Sequence, residues 1–137
     1  MFRVNAGGSL VAATDDGPDW EADTSTNPHS THNNVTNAKT WPAAITNLDA
    51  SVPSTTPTAV FTTERWDPPQ GAEMEWDIPI ASGTEVEVRL YFANSHAPTN
   101  QVGARVFDVA IDGTTVLNDY DIFADVGGFT AIALTTR

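Results

Sequence analysis

The side chains best suited to chemistry in this chain are four tryptophans, two arginines and two closely spaced histidines. Sugar recognition needs flat apolar faces for the C–H side of a pyranose, with amides, carboxylates or guanidinium groups for its hydroxyls. Trp41 precedes Pro42 in a polar stretch, where an indole suggests a contact surface. Trp76 alternates with Met74 and Ile78 and reads as a core residue, as does Trp20 near a short strand. Arg65 and Arg89 could each donate to hydroxyls, although Arg89 has Glu85 and Glu87 as nearer partners. His29 and His32 have a spacing that can serve zinc, but no cysteine lies near and no helix fixes their geometry. Asp15, Asp16 and Asp19 around Gly17 could offer oxygen ligands to a structural calcium ion. Their spacing does not fit an EF-hand loop, and an acidic turn is the simpler account, so no cofactor is expected.

Catalysis finds no support. The 18 acidic residues offer many carboxylate pairs, but none stands in a motif that would drive a pair of pKa values apart. There is no Gly-x-Ser-x-Gly elbow, and without cysteine there is neither a thiolate nucleophile nor a disulfide framework. A formal charge of −12, with Lys39 as the sole lysine, repels nucleic acid and anionic lipid. The same charge suits solubility or a high-salt source, where mutual repulsion is screened. No apolar run has the length of a membrane span, and Met1-Phe2-Arg3 leads into a Gly-rich segment unlike a signal peptide. Asn34-Val35-Thr36 is a glycosylation sequon, a mild pointer to an extracellular setting.

The elements that must position these residues are strands. With 137 residues and 40% hydrophobic side chains, the chain suits one globular domain spanning 1–137. Phe2-Arg3-Val4 reads as a short strand before a Gly-Gly pair. From Asp15 to Thr58 the polar composition predicts long loops with short strands near Trp20 and Val60. Met74–Ile80 alternates like a half-buried strand, with Pro79 at its end or edge. Between Gly83 and Gly113, Val86, Val88, Leu90 and Phe92 share one face, and Phe107, Val109 and Ile111 another. These two are the expected central core strands. Asp112-Gly113 is a hairpin turn, followed by strands at Thr115–Leu117, Tyr120–Phe123 and Ala131–Leu134. Many short strands with almost no helix predict an all-β sandwich or barrel.

Several ordered landmarks carry a family likeness. They are Phe2–Gly8, Thr63-Glu64-Arg65-Trp66, Arg89-Leu90-Tyr91-Phe92-Ala93, Gly103–Val109, Ile111-Asp112-Gly113, Asp121-Ile122-Phe123 and Val126-Gly127-Gly128. Together they resemble the malectin domain, a non-catalytic carbohydrate-binding module of secreted and surface proteins. The resemblance implies an antiparallel β-sandwich of the jelly-roll or galactose-binding-like kind, with ligand loops gathered at one end. It implies a neutral glycan as partner and an extracellular or cell-surface location. It puts Trp66 at the ligand end, and makes Asn94 and His96 candidates by their place in the Asn94–Ala104 loop. With Arg65 and Trp41 they form the candidate site.

Two departures from the family pattern matter. Where animal malectin carries an aromatic pair, this chain has Asn94-Ser95-His96-Ala97. The resemblance also implies a ligand aspartate near the domain's end and closing strands after Leu134 that this sequence would lack, which would leave open ladder groups or make the sequence part of a longer protein. Loops, or another chain or domain of a surface assembly adding a strand, would then complete the sheet. The rival reading is therefore a structural sandwich of an appendage or adhesive layer without sugar recognition. An exposed Trp66 favours sugar; a buried one favours structure.

Overall fold

In the computed structural model, which describes residues 1–33, 37–41 and 45–137, nearly all regular structure is strand. The sequon at Asn34–Thr36 and the Pro42 of the Trp41-Pro42 step lie outside the described residues. The chain is all-β, with one short helix and two single 3-10 turns among the described residues. It forms two compact units, Met1–Pro42 with Ser54–Thr84, and Ala43–Pro53 with Glu85–Arg137.

The first unit is built from very short pieces. Strand β1 (Val4–Ala6) pairs in parallel with β2 (Glu21–Asp23). Strand β3 (His32–Asn33) pairs antiparallel with β7 (Glu75–Trp76), and β4 (Ala38–Thr40) with β6 (Thr63–Arg65). The parallel β1–β2 pair departs from an all-antiparallel expectation. Near Val60 the expected strand is a 3-10 turn, Thr58–Phe61, which buries Val60 and Phe61. The Met74–Ile80 alternation yields only the two residues of β7. Pro79 has no N–H to continue a ladder, and Ile78 and Ile80 remain exposed.

Longer strands make the second unit. Strand β11 (Thr130–Thr136) lies between β5 (Asn47–Leu48), which is parallel to it, and β8 (Val88–Ala93), which is antiparallel. The β8–β11 register runs unbroken from Ala131 opposite Ala93 to Thr136 opposite Val88. Thus β8, expected at the centre, flanks β11, and the late segment Ala131–Ala133 is the buried one. Strands β9 (Phe107–Ile111) and β10 (Thr114–Tyr120) form the expected hairpin. Asp112 and Gly113 at its turn have φ of 48° and 76°, both in the left-handed region that a primed turn demands. Phe92, Phe107 and Tyr120 meet with ring centroids 5.4–5.9 Å apart, an aromatic cluster between β8 and the hairpin.

Tyr120–Phe123 does not continue as a strand. The Asp121 side chain accepts from the backbone N–H of Phe123 and Ala124, which caps helix α1 (Ile122–Val126). It also accepts from Gly103 N–H at 2.6 Å, tying the preceding loop to the helix start. These backbone donors, Gly103 first, hold its carboxyl below the usual value despite some desolvation.

Candidate functional site

The first unit is organised around one carboxylate. Asp23, at the end of β2, is fully buried, and each of its oxygens accepts two donors. Oδ2 takes Arg65 Nε at 2.6 Å and Gly7 N–H at 3.0 Å. Oδ1 takes Arg65 Nη2 at 2.8 Å and His29 N–H at 2.8 Å. The same guanidinium nitrogen reaches the carbonyls of Asp23 and Thr24. Burial alone would raise the Asp23 carboxyl, but Arg65 and the two backbone donors outweigh it and hold it below its ordinary range. Gly7 is required here: its φ is 77°, and a Cβ would overlap the Glu64 carbonyl.

Arg65 is therefore placed inside, its side chain 1% exposed. Its guanidinium is turned to Asp23 and anchors the end of β6. The next residue, Trp66, emerges from that anchor with 38% exposure, its N–H donated to the Asn37 carbonyl at 3.3 Å. Trp41 follows β4 at the opposite end of the β4–β6 ladder, four residue steps from the position opposite Trp66, a separation of roughly 13 Å. Its backbone N–H is donated to Thr62 O at 2.8 Å, and the Lys39 ammonium lies 5.6 Å from its ring centre. Trp41 and Trp66 thus flank one ladder from its two ends.

The other two tryptophans support the frame. Trp20 is buried, with the Arg3 guanidinium 5.4 Å from its ring centre. Trp76 is half-buried and stacks on His32. Beside β1 and β4 opens a cleft of about 430 Å³, lined by Gly7, Gly8, Ser9, Thr24, Lys39 and Thr63 among others. No carboxylate lines it among the described residues. Hydroxyl side chains share that lining with apolar ones such as Leu10 and Val11.

Asn94 and His96 belong to the second unit. Asn94 is 1% exposed, and its amide closes its own loop. Its Nδ2 donates to Thr99 O and Asn100 Oδ1, both at 3.0 Å, and its Oδ1 accepts from Thr99 Oγ1 at 2.8 Å. His96 is half-buried, and its carbonyl accepts from the N–H and hydroxyl of Thr99. Arg89 pairs with Glu87 at 2.9 Å.

The candidate ion ligands do not converge. Asp15 chelates Arg3, with oxygens at 2.7 and 2.8 Å, and that hydrogen-bonded pairing holds its carboxyl at about 2. Asp19 accepts from Ala13 N–H. His29 turns to Thr31 and Glu21, whereas His32 turns to Trp76 and Asp23. Among the described residues, no three acidic or imidazole side chains gather as metal ligands.

The Asp23–Arg65 joint is absent from the residue-by-residue reading. Nothing local links two positions 42 residues apart.

Comparison with known proteins is consistent with this frame. The family model described as the Malectin domain matches residues 1–136. Nothing matches among the curated proteins or the solved structures. The family match takes in both units, the Asp23–Arg65 joint and the exposed Trp66, and on that evidence the chain belongs to the malectin domain family.

Proposed function

We propose that this domain is a non-catalytic carbohydrate-binding module of a secreted or cell-surface protein, and that it holds a neutral glycan against Trp66. Membership of the malectin domain family supports the ligand class and a sandwich arrangement of the sheets. The observation that carries the site is Trp66 itself. A partly exposed indole follows directly on a buried arginine with its guanidinium locked, so the ring is offered from a rigid base at low entropic cost. A pyranose ring stacks on such a face through its C–H side.

The test is a neutral glycan array at low and high salt, followed by titration of Trp66→Ala against the best hit. Loss of an anchoring tryptophan is expected to weaken binding by about 2 kcal/mol, roughly 30-fold, while the circular dichroism spectrum stays unchanged. Wild-type silence across the array, or equal binding by the variant, would overturn the reading.

A second reading is favoured by Asn94 and Arg65, whose polar groups are engaged inside their own units. In it the domain is a structural sandwich whose sheet is completed by another chain or domain. A species that stays monomeric on dilution and across ionic strengths would remove it.

A further inference from the structure

The imidazole of His32 holds a place in the first unit that sugar binding does not use. Its side chain is 1% exposed, and its ring stacks on Trp76 with centroids 4.6 Å apart and planes 29° apart. Nδ1 stands 3.6 Å from Asp23 Oδ1, beyond a good hydrogen bond, because that carboxylate is already filled. Nε2 is buried with no hydrogen-bond partner among the described residues. A buried polar atom left in this way is costly, and a change of charge there is costlier still.

Charged groups stand on each element packed against the ring, and of these Asp23 and Arg65 act on it directly. On β2 stands Asp23, and on β6 Arg65, bound to the same carboxylate. On β7, Glu75 lies opposite Asn33, and Asp77 just beyond accepts from Asn33 Nδ2 at 3.0 Å. On the loop before β3, His29 meets Glu21 of β2 at 2.9 Å. Burial first, and the Arg65 charge second, oppose an imidazolium at His32. Only Asp23 favours one, and the net effect keeps the ring neutral to a lower pH than an ordinary imidazole.

We propose that His32 is an acid-sensitive latch, in which uptake of one proton drives its ring from between Asp23 and Trp76 and opens the β3–β7 pair. The element that yields is the shortest ladder of the first unit among the described residues, since each strand contributes only two residues to it. Above the ordinary imidazole range the ring is neutral in closed and open forms alike, and pH has no effect through it. As pH falls through that range, the open form takes up the proton and the closed form does not. The closed form then loses ground by up to about tenfold per pH unit, until its own lower pKa is reached. This device does not depend on which ligand the domain binds.

Acid titration of the full chain tests it. Tryptophan emission should shift below pH 6.5 in a one-proton transition, and the shift should vanish in Trp76→Phe. Exchange of the Asp77 N–H, which is donated to Thr31 O at 2.7 Å, should accelerate beyond its intrinsic pH trend over the same window. His32→Phe keeps an aromatic stack but cannot take the proton, so its transition should disappear, whereas His29→Gln should retain it. A transition that survives in His32→Phe would overturn the latch. So would a wild-type His32 ring that titrates by NMR at the ordinary value with no change in Asp77 exchange. The NMR arm decides the matter even where His32→Phe does not fold.

Discussion

In the second unit β11 runs for seven residues and buries Ala131, Ile132 and Ala133 in a row. In the first unit no described strand exceeds three residues, and the buried positions include Asn5, Asp23, Thr31 and Arg65. A long ladder supplies its own hydrogen bonds and lets apolar side chains fill the faces. Short ladders cannot, so the first unit leans on side chains to satisfy main chain: Asp23 for Gly7 and His29, and Arg65 for the carbonyls of Asp23 and Thr24. Such a joint fixes geometry where regular pairing is too brief to do so. That is also where Trp66 is presented.

Optical probes separate the two cases. All four tryptophans fall in the first unit and both tyrosines in the second, so each unit carries its own reporter. The largest effect is expected from Asp23→Ala. It strands the Arg65 charge in the interior and should cost about 3–5 kcal/mol in urea unfolding followed by tryptophan emission. A cost under about 1 kcal/mol would remove the joint from the comparison. The same carboxyl has a depressed folded pKa. Its contribution is therefore present above the ordinary value of 3.8 and fades as pH falls towards the lower folded value.

Next comes Ile132→Ala, which deletes a buried side chain from β11 opposite Phe92. A loss of about 3 kcal/mol is expected, read by tyrosine emission. If it proved harmless, the apolar account of the second unit would fail. The smallest effect is expected from Asp121→Ala, which removes the cap of α1 and the tie to Gly103. It should cost about 1 kcal/mol, and Asp121→Asn should recover most of that.

Much of the second unit could be read from its residues, because its determinants are local. Alternation from Val86 to Phe92 foretold β8, and Asp112-Gly113 foretold the hairpin turn. Asp121 misled in the same stretch: apolar neighbours on both sides suggested a strand, while its carboxylate starts a helix. In the candidate site the residue types were legible and their engagements were not. Arg65 and Asn94 both carry groups that could meet a sugar hydroxyl, yet each is closed onto a partner from its own unit. Asn94 has its partner five residues away, but Arg65 depends on a carboxylate that no spacing rule connects to it. Trp66, whose exposure the residue types left open, stands on the surface beside a landmark arginine.

The Asp23 joint also bears on when the first unit can close. Residue 23 leaves the ribosome long before residue 65, and until then the carboxylate has no guanidinium to receive it. The β9–β10 hairpin, by contrast, can zip as soon as its two-residue turn has formed. Contacts between distant positions form more slowly than local ones, because the intervening chain must first surrender its freedom. The nascent segment around β1 and β2 therefore waits for an arginine not yet synthesised. Closure of the first unit is thus set by the arrival of residue 65 and not of residue 23.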